Sequence, residues 1–284
     1  MKVRVNQLLK LVGVGFALFS IAHVTFSVVA QRRPVSRPVL TLPVPRVVDK
    51  PQPRKRASRM YFMLKRAMDI VLSGMALVAL SPLMLVIAIL VRLDSPGGAI
   101  FAQERVGVRV KVRNGQKSWE VKQFTVYKFR TMRQDSNSEI HKAFVTALIE
   151  KDEQKLTSMN GNGKDDKKYK LVDDPRITRV GKFLRKTSLD ELPQFWNVFK
   201  GDMSLVGPRP ALAYEVDLYT PRHLRRLEVQ PGLTGLWQVA ARSAVDFDGM
   251  VDLDIWYVEN QSLLVDLDLI WKTPFAMLRG KGAA

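Results

Sequence analysis

The sequence contains no cysteine among its 284 residues, and its three histidines are scattered at His23, His141 and His223. Without cysteine there is no disulfide, no thiolate nucleophile and no Cys-ligated zinc, and dispersed histidines do not make a histidine-rich metal site. Acids are also in the minority, because 27 Asp and Glu face 45 Lys and Arg. Chemistry must therefore rest on carboxylates, basic groups or an ion with oxygen ligands such as Mg²⁺.

More than half of the net charge of +18 lies in one segment, residues 31 to 66, where eleven basic residues accompany a single acid, Asp49. A charge of this size requires polyanionic surroundings, and nucleic acid, anionic lipid headgroups and phosphorylated substrates would each serve. Residues 31 to 60 contain no Phe, Tyr or Trp on which bases could stack. Lipids or phosphorylated substrates are therefore expected as partners, and nucleic acid is not.

The first sixty residues combine an apolar run with a basic linker, a pattern that indicates attachment to a membrane. Residues 8 to 30 form an apolar run long enough to cross a bilayer core, which takes about 20 helical residues. We predict an N-terminal membrane anchor over residues 1–30, with a signal peptide cleaved after Ala30 as the alternative. Residues 31–60 are rich in Pro and Arg and predict an extended linker along anionic headgroups, or else a disordered basic spacer. By the positive-inside rule this linker lies in the cytoplasm.

A second apolar stretch, Ile70 to Val91, is again of membrane length, but Ser81 and Pro82 interrupt it. Proline removes a backbone donor and clashes one turn back, so a kink or break is expected there. Basic residues flank both ends, as suits a helix that enters the membrane and returns to the same face. By itself the sequence favours an ordinary kinked spanning helix over this re-entrant course.

The remaining chain predicts a helix-rich α+β domain over residues 61–284. Two stretches, 99 to 112 and 119 to 129, surround the turn signal Asn114-Gly115 and predict a small antiparallel hairpin. Helical spacing follows at 137 to 157, then a polar loop at 158 to 170. Further helices are predicted at 179 to 186, 192 to 200, 211 to 219, 221 to 227, 246 to 260 and 263 to 279. Their apolar faces suit the membrane interface or a soluble core equally well.

Two adjacent carboxylates, Asp190 and Glu191, lie among cations at a predicted helix start. Ser188 followed three residues later by Glu191 is also the pattern of a capping box, which taken alone favours a structural role. Pro193, however, prefers the first helical position, so the acids would lie just ahead of the helix. The neighbouring Arg185 and the helix dipole are expected to favour the ionised form of Asp190.

Three basic motifs are suited to phosphate. Gly207-Pro208-Arg209-Pro210 is a rigid turn that fixes the direction of an arginine fork, and Pro208 organises it. A glycine-punctuated loop from Pro231 ends in Arg242. Lys128 and Arg130 alternate on one predicted strand face. Each motif alone is weak evidence, since turn arginines and strand-edge cations are usually solvated.

Taken in order, these motifs resemble the bacterial sugar transferase family, the monotopic phosphoglycosyl transferases. The matching segments are KRAMDIVLSG, SPLML, YKFRTM, DPRITRVGKFLRKTSLDELPQFWNVFKGDMSLVGPRP, PGLTGLWQV and LDIWYVENQSLLVDL, which extend over roughly residues 61 to 279. The resemblance implies a re-entrant membrane helix broken at Ser81-Pro82, interfacial amphipathic helices and an active site on the cytoplasmic face of the bacterial inner membrane. It thereby reverses the preference for a spanning helix.

The resemblance also implies a reaction. Asp190 would attack the sugar-linked phosphate of a UDP-sugar, release UMP and pass the phosphosugar to undecaprenyl phosphate, with Glu191 assisting through Mg²⁺ or proton handling. Asp190 and Glu191 are accordingly the expected metal ligands. Positions matching those that the family uses for phosphate binding and site order are Lys128, Arg185, Arg209, Arg242 and Asp266.

Rival interpretations stay open at this point. Within the same enzyme class, Asp190 and Glu191 would only hold Mg²⁺ while the phosphosugar passes directly between substrates. Outside it, the chain would be a membrane-tethered nucleic-acid binder or a non-catalytic scaffold. The sequence leaves open the sugar, the pathway and whether the chain forms a homo-oligomer.

Overall fold

The computed structural model describes residues 58–113, 116–133, 139–160, 176–241 and 245–278. The predicted anchor over residues 1–30, nearly all of the linker over 31–60 and Arg242 lie outside these ranges. Ten helices and four strands are present in the described part of the chain. In order, they are α1 (Arg59–Asp94), β1 (Ile100–Arg113), β2 (Gln116–Phe129), α2 (Glu139–Glu150), α3 (Glu153–Asn160), α4 (Arg179–Thr187), α5 (Gln194–Lys200), β3 (Ser204–Val206), α6 (Ala213–Val216), α7 (Pro221–Leu224), β4 (Gly232–Thr234), α8 (Leu236–Ala240), α9 (Phe247–Glu259) and α10 (Leu263–Leu278). Single 3-10 turns lie at Leu189–Glu191 and Arg225–Glu228.

Helix α1 begins where the Ser58 side chain accepts a hydrogen bond from the Tyr61 backbone N–H at 3.1 Å. Within the described residues it alone is long and apolar enough to cross a membrane, with a mean hydropathy of 2.6 over its most apolar window. The helix continues through Ser81 and Pro82 without an unwound segment, and the Ser81 hydroxyl donates to the Val78 carbonyl at 2.8 Å. The predicted interruption is therefore contained within one helix, and the re-entrant course stays a prediction.

The two halves of α1 both pack against the rest of the chain. Tyr61, Lys65 and Asp69 are buried at its start, and Ile87 and Val91 near its end. Between these contacts its large apolar side chains are mostly exposed, including Met75, Val78, Leu83, Leu85 and Val86. An exposed apolar surface of this extent on one helix is what contact with lipid requires.

Strands β1 and β2 form the predicted antiparallel hairpin. Pairing runs from Ile100 opposite Phe129 to Arg113 opposite Gln116, and residues 114 and 115 lie outside the described ranges. The predicted helix at 137 to 157 is instead two helices, α2 and α3. Lys151 takes a left-handed conformation with φ of 59° between them and ends the first helix. The predicted loop at 158 to 170 also begins too early, because α3 continues to Asn160.

A short parallel pair, β3 and β4, was not expected from the sequence. Ser204 pairs with Gly232 and Val206 with Thr234, and residues 232–234 lie in the segment from Pro231 that the sequence predicts as a loop. The pairing brings Gly207 and Gly232 into contact. A Cβ added to Gly232 would lie 2.0 Å from the Gly207 nitrogen, so glycine is required for the two backbones to approach.

The main core joins β2, β3, α5, α9 and α10. Its fully buried side chains include Val126, Val198, Val206, Tyr257 and Leu269. Burial of this apolar surface is the main stabilising contribution, and it fixes the ends of β2, α5 and β3 relative to one another. Those three ends carry the residues of the site.

Candidate active site

The acid pair occupies a 3-10 turn, Leu189–Glu191, between α4 and α5. Ser188 precedes it in the left-handed conformation with φ of 56° and makes no side-chain cap hydrogen bond, so the capping-box interpretation is wrong. Pro193 directly precedes α5, which begins at Gln194. The two carboxylates therefore lie ahead of the helix, as predicted from Pro193.

Glu191 is held by cations from two other elements. The Lys128 ammonium, at the end of β2, donates to Glu191 Oε1 at 2.7 Å. The Arg209 guanidinium, in the turn after β3, lies 3.5 Å from the same oxygen. Burial lowers the pKa of Lys128, and the Glu191 charge opposes that shift. The fold thus brings Lys128, Glu191 and Arg209 together, although Lys128 and Glu191 are 63 positions apart in the sequence.

Asp190 is half-buried beside this cluster. Burial raises its pKa above the ordinary value, Lys128 opposes the shift, Glu191 adds to it, and Arg185 and Arg209 also oppose it. Arg185 thus favours the ionised form of Asp190, as expected, but desolvation outweighs the cations and the net shift of the pKa is upward. Arg185 and Arg209 nevertheless lie close enough to act on the carboxylate, as predicted.

Asp266 is fully buried in a polar network away from the acid pair. It accepts hydrogen bonds from the Tyr61 hydroxyl at 2.9 Å, the Lys65 ammonium at 2.9 Å and the Tyr257 hydroxyl at 2.7 Å. Lys65 and Tyr257 also donate to the Val206 carbonyl, at 3.0 and 3.1 Å. Because Val206 directly precedes the Gly207 turn, Asp266 is placed to organise the turn, and direct phosphate contact is not its role in this geometry.

The turn that carries Arg209 is fixed from a second side by β4. The Pro208 carbonyl accepts from the Gly232 N–H at 2.8 Å, and the Gly207 N–H donates to the Thr234 carbonyl at 2.9 Å. The Pro208 carbonyl is thus one of the contacts between the turn and β4, and the organising role of Pro208 stays a prediction. A guanidinium on a turn held at both sides keeps its direction, which suits it to phosphate.

Arg130 lies elsewhere than predicted. It follows β2 and is buried, and its guanidinium donates to the carbonyls of Ser95 and Pro96 at 2.6 and 2.7 Å. These bonds fix the end of α1, so the predicted phosphate role of Arg130 is not supported by its position. The strand ends at Phe129, one residue before Arg130, and the two side chains have different partners, since Lys128 donates to Glu191 and Arg130 to the end of α1.

A small pocket adjoins Glu191. Its lining combines cations, amides and backbone near the β3–β4 pair, and consists of Arg105, Val126, Lys128, Glu191, Gln194, Arg209, Pro210, Gly232, Leu233 and Gln238. Asp190 directly precedes the lining residue Glu191 in the chain. Arg105 and Gln194 were missed from the sequence, because an arginine in a strand and a glutamine at a helix start are usually solvated.

The acid pair fits a magnesium ion by donor type. No cluster of three or more His, Cys, Asp or Glu side chains suitable for a metal occurs in the described ranges. Mg²⁺, however, is commonly held by one or two carboxylates together with substrate phosphates. Asp190 and Glu191 would provide those carboxylates, and the neighbouring cations already favour a phosphorylated ligand.

Comparisons with known proteins agree with this chemistry. The chain is 44% identical over 229 residues to an undecaprenyl-phosphate galactose phosphotransferase of Salmonella typhimurium, which covers 81% of this chain and 43% of the relative. It is 38% identical to the exopolysaccharide production protein ExoY of Sinorhizobium fredii, over 77% of this chain and 87% of the relative. It is also 38% identical to an N-acetylgalactosaminephosphotransferase of Aeromonas hydrophila acting from UDP-N-acetylgalactosamine to undecaprenyl phosphate, over 80% of this chain and 46% of the relative.

The chain thus spans less than half the length of the Salmonella and Aeromonas relatives. The family profile described as bacterial sugar transferase matches residues 60–280, which include the acid pair, Lys128, the Arg209 turn and Asp266. With that match over most of its length, the chain belongs to the bacterial sugar transferase family.

Proposed function

We propose that this protein transfers a sugar 1-phosphate from a UDP-sugar to undecaprenyl phosphate, releasing UMP. The observation that carries the proposal is the Asp190-Glu191 pair beside Lys128 and Arg209. A carboxylate next to converging cations is what attack on an anionic diphosphate requires, because the cations offset the repulsion between the two negative partners. The relatives named above act on substrates of this class.

In the first step, a carboxylate oxygen of Asp190 attacks the sugar-linked phosphorus of the donor. A bond forms between that oxygen and the phosphorus, and the bond to the bridging oxygen of the diphosphate breaks. UMP leaves with the bridging oxygen and its electron pair, and Asp190 carries the phosphosugar as an acyl phosphate. The carboxylate attacks in its ionised form, which burial disfavours and the charges of Lys128, Arg185 and Arg209 favour.

In the second step, a phosphate oxygen of undecaprenyl phosphate attacks the same phosphorus. The bond to Asp190 breaks, and the carboxylate is regenerated as the lipid-linked diphosphate sugar forms. Lys128 and Arg209 neutralise charge on the non-bridging oxygens in both steps. Mg²⁺ bound at Asp190 and Glu191 would add further neutralisation of the diphosphate.

The membrane assignment follows from α1. Its exposed apolar side chains are proposed to lie in the cytoplasmic leaflet of the inner membrane, with Pro82 bending the helix so that both ends return to one face. A helix that re-enters the same face of the membrane must keep both ends near the catalytic domain, and both halves of α1 pack against that domain. Amphipathic α10, with Leu264 and Trp271 exposed, would lie at the interface.

Release of UMP from a panel of UDP-sugars tests the proposal and identifies the sugar. The full chain in lipid nanodiscs should release UMP with at least one donor among UDP-galactose, UDP-glucose and their N-acetylamino derivatives. Asp190→Asn and Glu191→Gln should each lower turnover by at least about 100-fold, the scale of losing a nucleophile or a transition-state contact. Asp252→Asn is a matched control, since Asp252 lies on the surface in an exposed pair with Arg222.

Two outcomes would reject the proposal. One is a full panel without UMP release by well-folded protein, which would favour the scaffold interpretation. The other is unchanged turnover in Asp190→Asn with equal thermal stability. A third outcome is an inactive Asp190→Asn variant together with no phosphosugar adduct when the native protein meets the donor alone. That outcome would replace the two-step route by direct transfer between bound substrates.

A further inference from the structure

Arg105 is a buried cation that no expectation from the sequence had placed in the site. It lies on β1, is 8% exposed and lines the pocket beside Glu191. Its guanidinium donates to the Pro210 carbonyl at 3.0 Å and to Gln103 Oε1 at 2.7 and 3.1 Å. Pro210 directly follows Arg209, so the two guanidinium groups approach the pocket from adjacent positions.

The hydrogen bonds of Arg105 within the described ranges go to neutral acceptors. Arg209 lies near enough to repel it, and burial together with that repulsion lowers the pKa of Arg105 to about 10. Glu215 and Glu191 offset part of the repulsion. A guanidinium kept in a pocket, desolvated and next to a second one, is stabilised when an anion enters, because opposite charge compensates both at once.

We infer that Arg105 and Arg209 together bind the phosphate monoester that faces Asp190 across the transferred phosphorus. This inference rests on the proposed function. In-line displacement places the attacking and leaving oxygens on opposite sides of the phosphorus. While Asp190 attacks from one side, the UMP phosphate must leave on the other, where Arg105 and Arg209 would hold it.

The same position serves the second step. Asp190 is then the leaving group, so the acceptor oxygen must attack from the side that UMP has vacated. UMP and undecaprenyl phosphate are both phosphate monoesters, and one pair of arginines suits both in turn. Arg105 is therefore assigned as a binding residue for the monoester, used by the nucleotide first and by the lipid carrier second.

Binding measured without turnover tests the assignment. With the full chain in nanodiscs, UMP and uridine are compared as probes by equilibrium titration, since they differ only in the phosphate. Arg105→Gln should weaken UMP binding about 10-fold to 100-fold, as expected for a lost charge-assisted contact, and leave uridine binding unchanged. Arg105→Lys, which keeps the charge, should restore part of the loss.

A double variant separates direct contact from positioning. If Arg105 acted only through the Pro210 carbonyl on Arg209, its replacement would have no further effect in Arg209→Gln protein. Direct contact predicts a further loss of UMP affinity in the Arg105→Gln/Arg209→Gln protein. Arg222→Gln, in an exposed surface pair, is the control for general charge loss, and melting temperatures establish that each variant is folded.

A competition experiment with the lipid tests whether undecaprenyl phosphate and UMP use the same site. Nanodiscs that contain undecaprenyl phosphate should weaken UMP binding in proportion to its content, whereas undecaprenol should not. Equal loss of UMP and uridine affinity in Arg105→Gln, or no competition from undecaprenyl phosphate, would overturn the inference. Phosphate-specific binding through Arg105 in protein that releases no UMP from any donor would instead reject the proposed function, and Arg105 would remain a phosphate-binding residue without the role in the two transfer steps.

Discussion

Replacing Asp266 by asparagine would leave a buried ammonium group without its counter-charge. Asp266 is fully buried, and the Lys65 ammonium 2.9 Å away is 9% exposed. Asparagine has nearly the same shape as aspartate, so the change removes charge and little packing. Asparagine keeps only one of the two carboxylate oxygens. Its NH2 group would therefore face either Tyr257, which donates to Oδ1, or Tyr61 and Lys65, which donate to Oδ2, and Lys65 loses its counter-charge in both cases.

Loss of one partner from a buried ion pair costs about 3–5 kcal/mol, because the remaining charge stays desolvated. Small domains have a free energy of unfolding of about 5–15 kcal/mol, so the loss is a large fraction of the total. Tyr257→Phe removes the hydroxyl that bonds the carboxylate and the Val206 carbonyl, but it leaves the ion pair in place and should cost less, about 1.5–3 kcal/mol. In Lys65→Met/Asp266→Asn protein the ammonium is absent, and we expect part of the stability to return.

Denaturant unfolding in a mild detergent measures these differences. Asp268→Asn is the matched control, because Asp268 lies two residues away on α10 in an exposed pair with Lys272 and should cost at most about 1 kcal/mol. A loss below about 1 kcal/mol in Asp266→Asn would refute the reasoning. Equal losses in the single and double variants would also refute it, since they would show that the stranded charge carries no cost.

Three further predictions concern the site. Since Lys128 opposes the raised pKa of Asp190, Lys128→Met should raise that pKa further and move the acid limb of UMP release to higher pH, which initial rates across pH would measure. Gly232→Ala should lower the melting temperature, because its Cβ would lie 2.0 Å from the Gly207 nitrogen and overpacking costs about 1–3 kcal/mol, whereas Gly98→Ala, with its nearest atom at 3.8 Å, should not. Chelation of divalent ions should abolish UMP release while circular dichroism stays unchanged, and undiminished release in excess chelator would contradict the magnesium proposal.

The long and strongly patterned elements could be predicted from the sequence. The hairpin followed from β-branched and aromatic residues around Asn114-Gly115, and the helices near 192 to 200 and 246 to 260 agree with α5 and α9 within two residues at each end. Each of these elements extends over two or more periods of its pattern, so the local pattern is sufficient. The α+β class with a small antiparallel sheet followed from them.

The parallel β3–β4 pair could not be predicted in this way. Three residues per strand give no period, and the pairing depends on contact between segments almost 30 residues apart. Lys65 shows the same limit, because a lysine before an apolar stretch was interpreted as a topology signal for the membrane. Its ion pair with Asp266 joins residues 201 positions apart, and local sequence carries no sign of it.

The acid pair was predicted, while its electrostatic state was not. Local sequence shows cations next to Asp190, but the larger effect is burial by elements distant in the chain. Arg105 was missed for the same reason, since its role depends on the distant turn at Arg209 and Pro210. Arg130 was assigned wrongly, because its partners at the end of α1 lie about 35 residues earlier.

The central claim is that Asp190 becomes covalently attached to the phosphosugar. Intact-protein mass spectrometry after exposure to the accepted UDP-sugar and Mg²⁺, without undecaprenyl phosphate, measures this directly. The protein should gain a mass equal to one sugar 1-phosphate less one water, mapped to Asp190 and lost on addition of the lipid acceptor. Unmodified protein under conditions that support turnover, or an adduct that persists in Asp190→Asn, would contradict it.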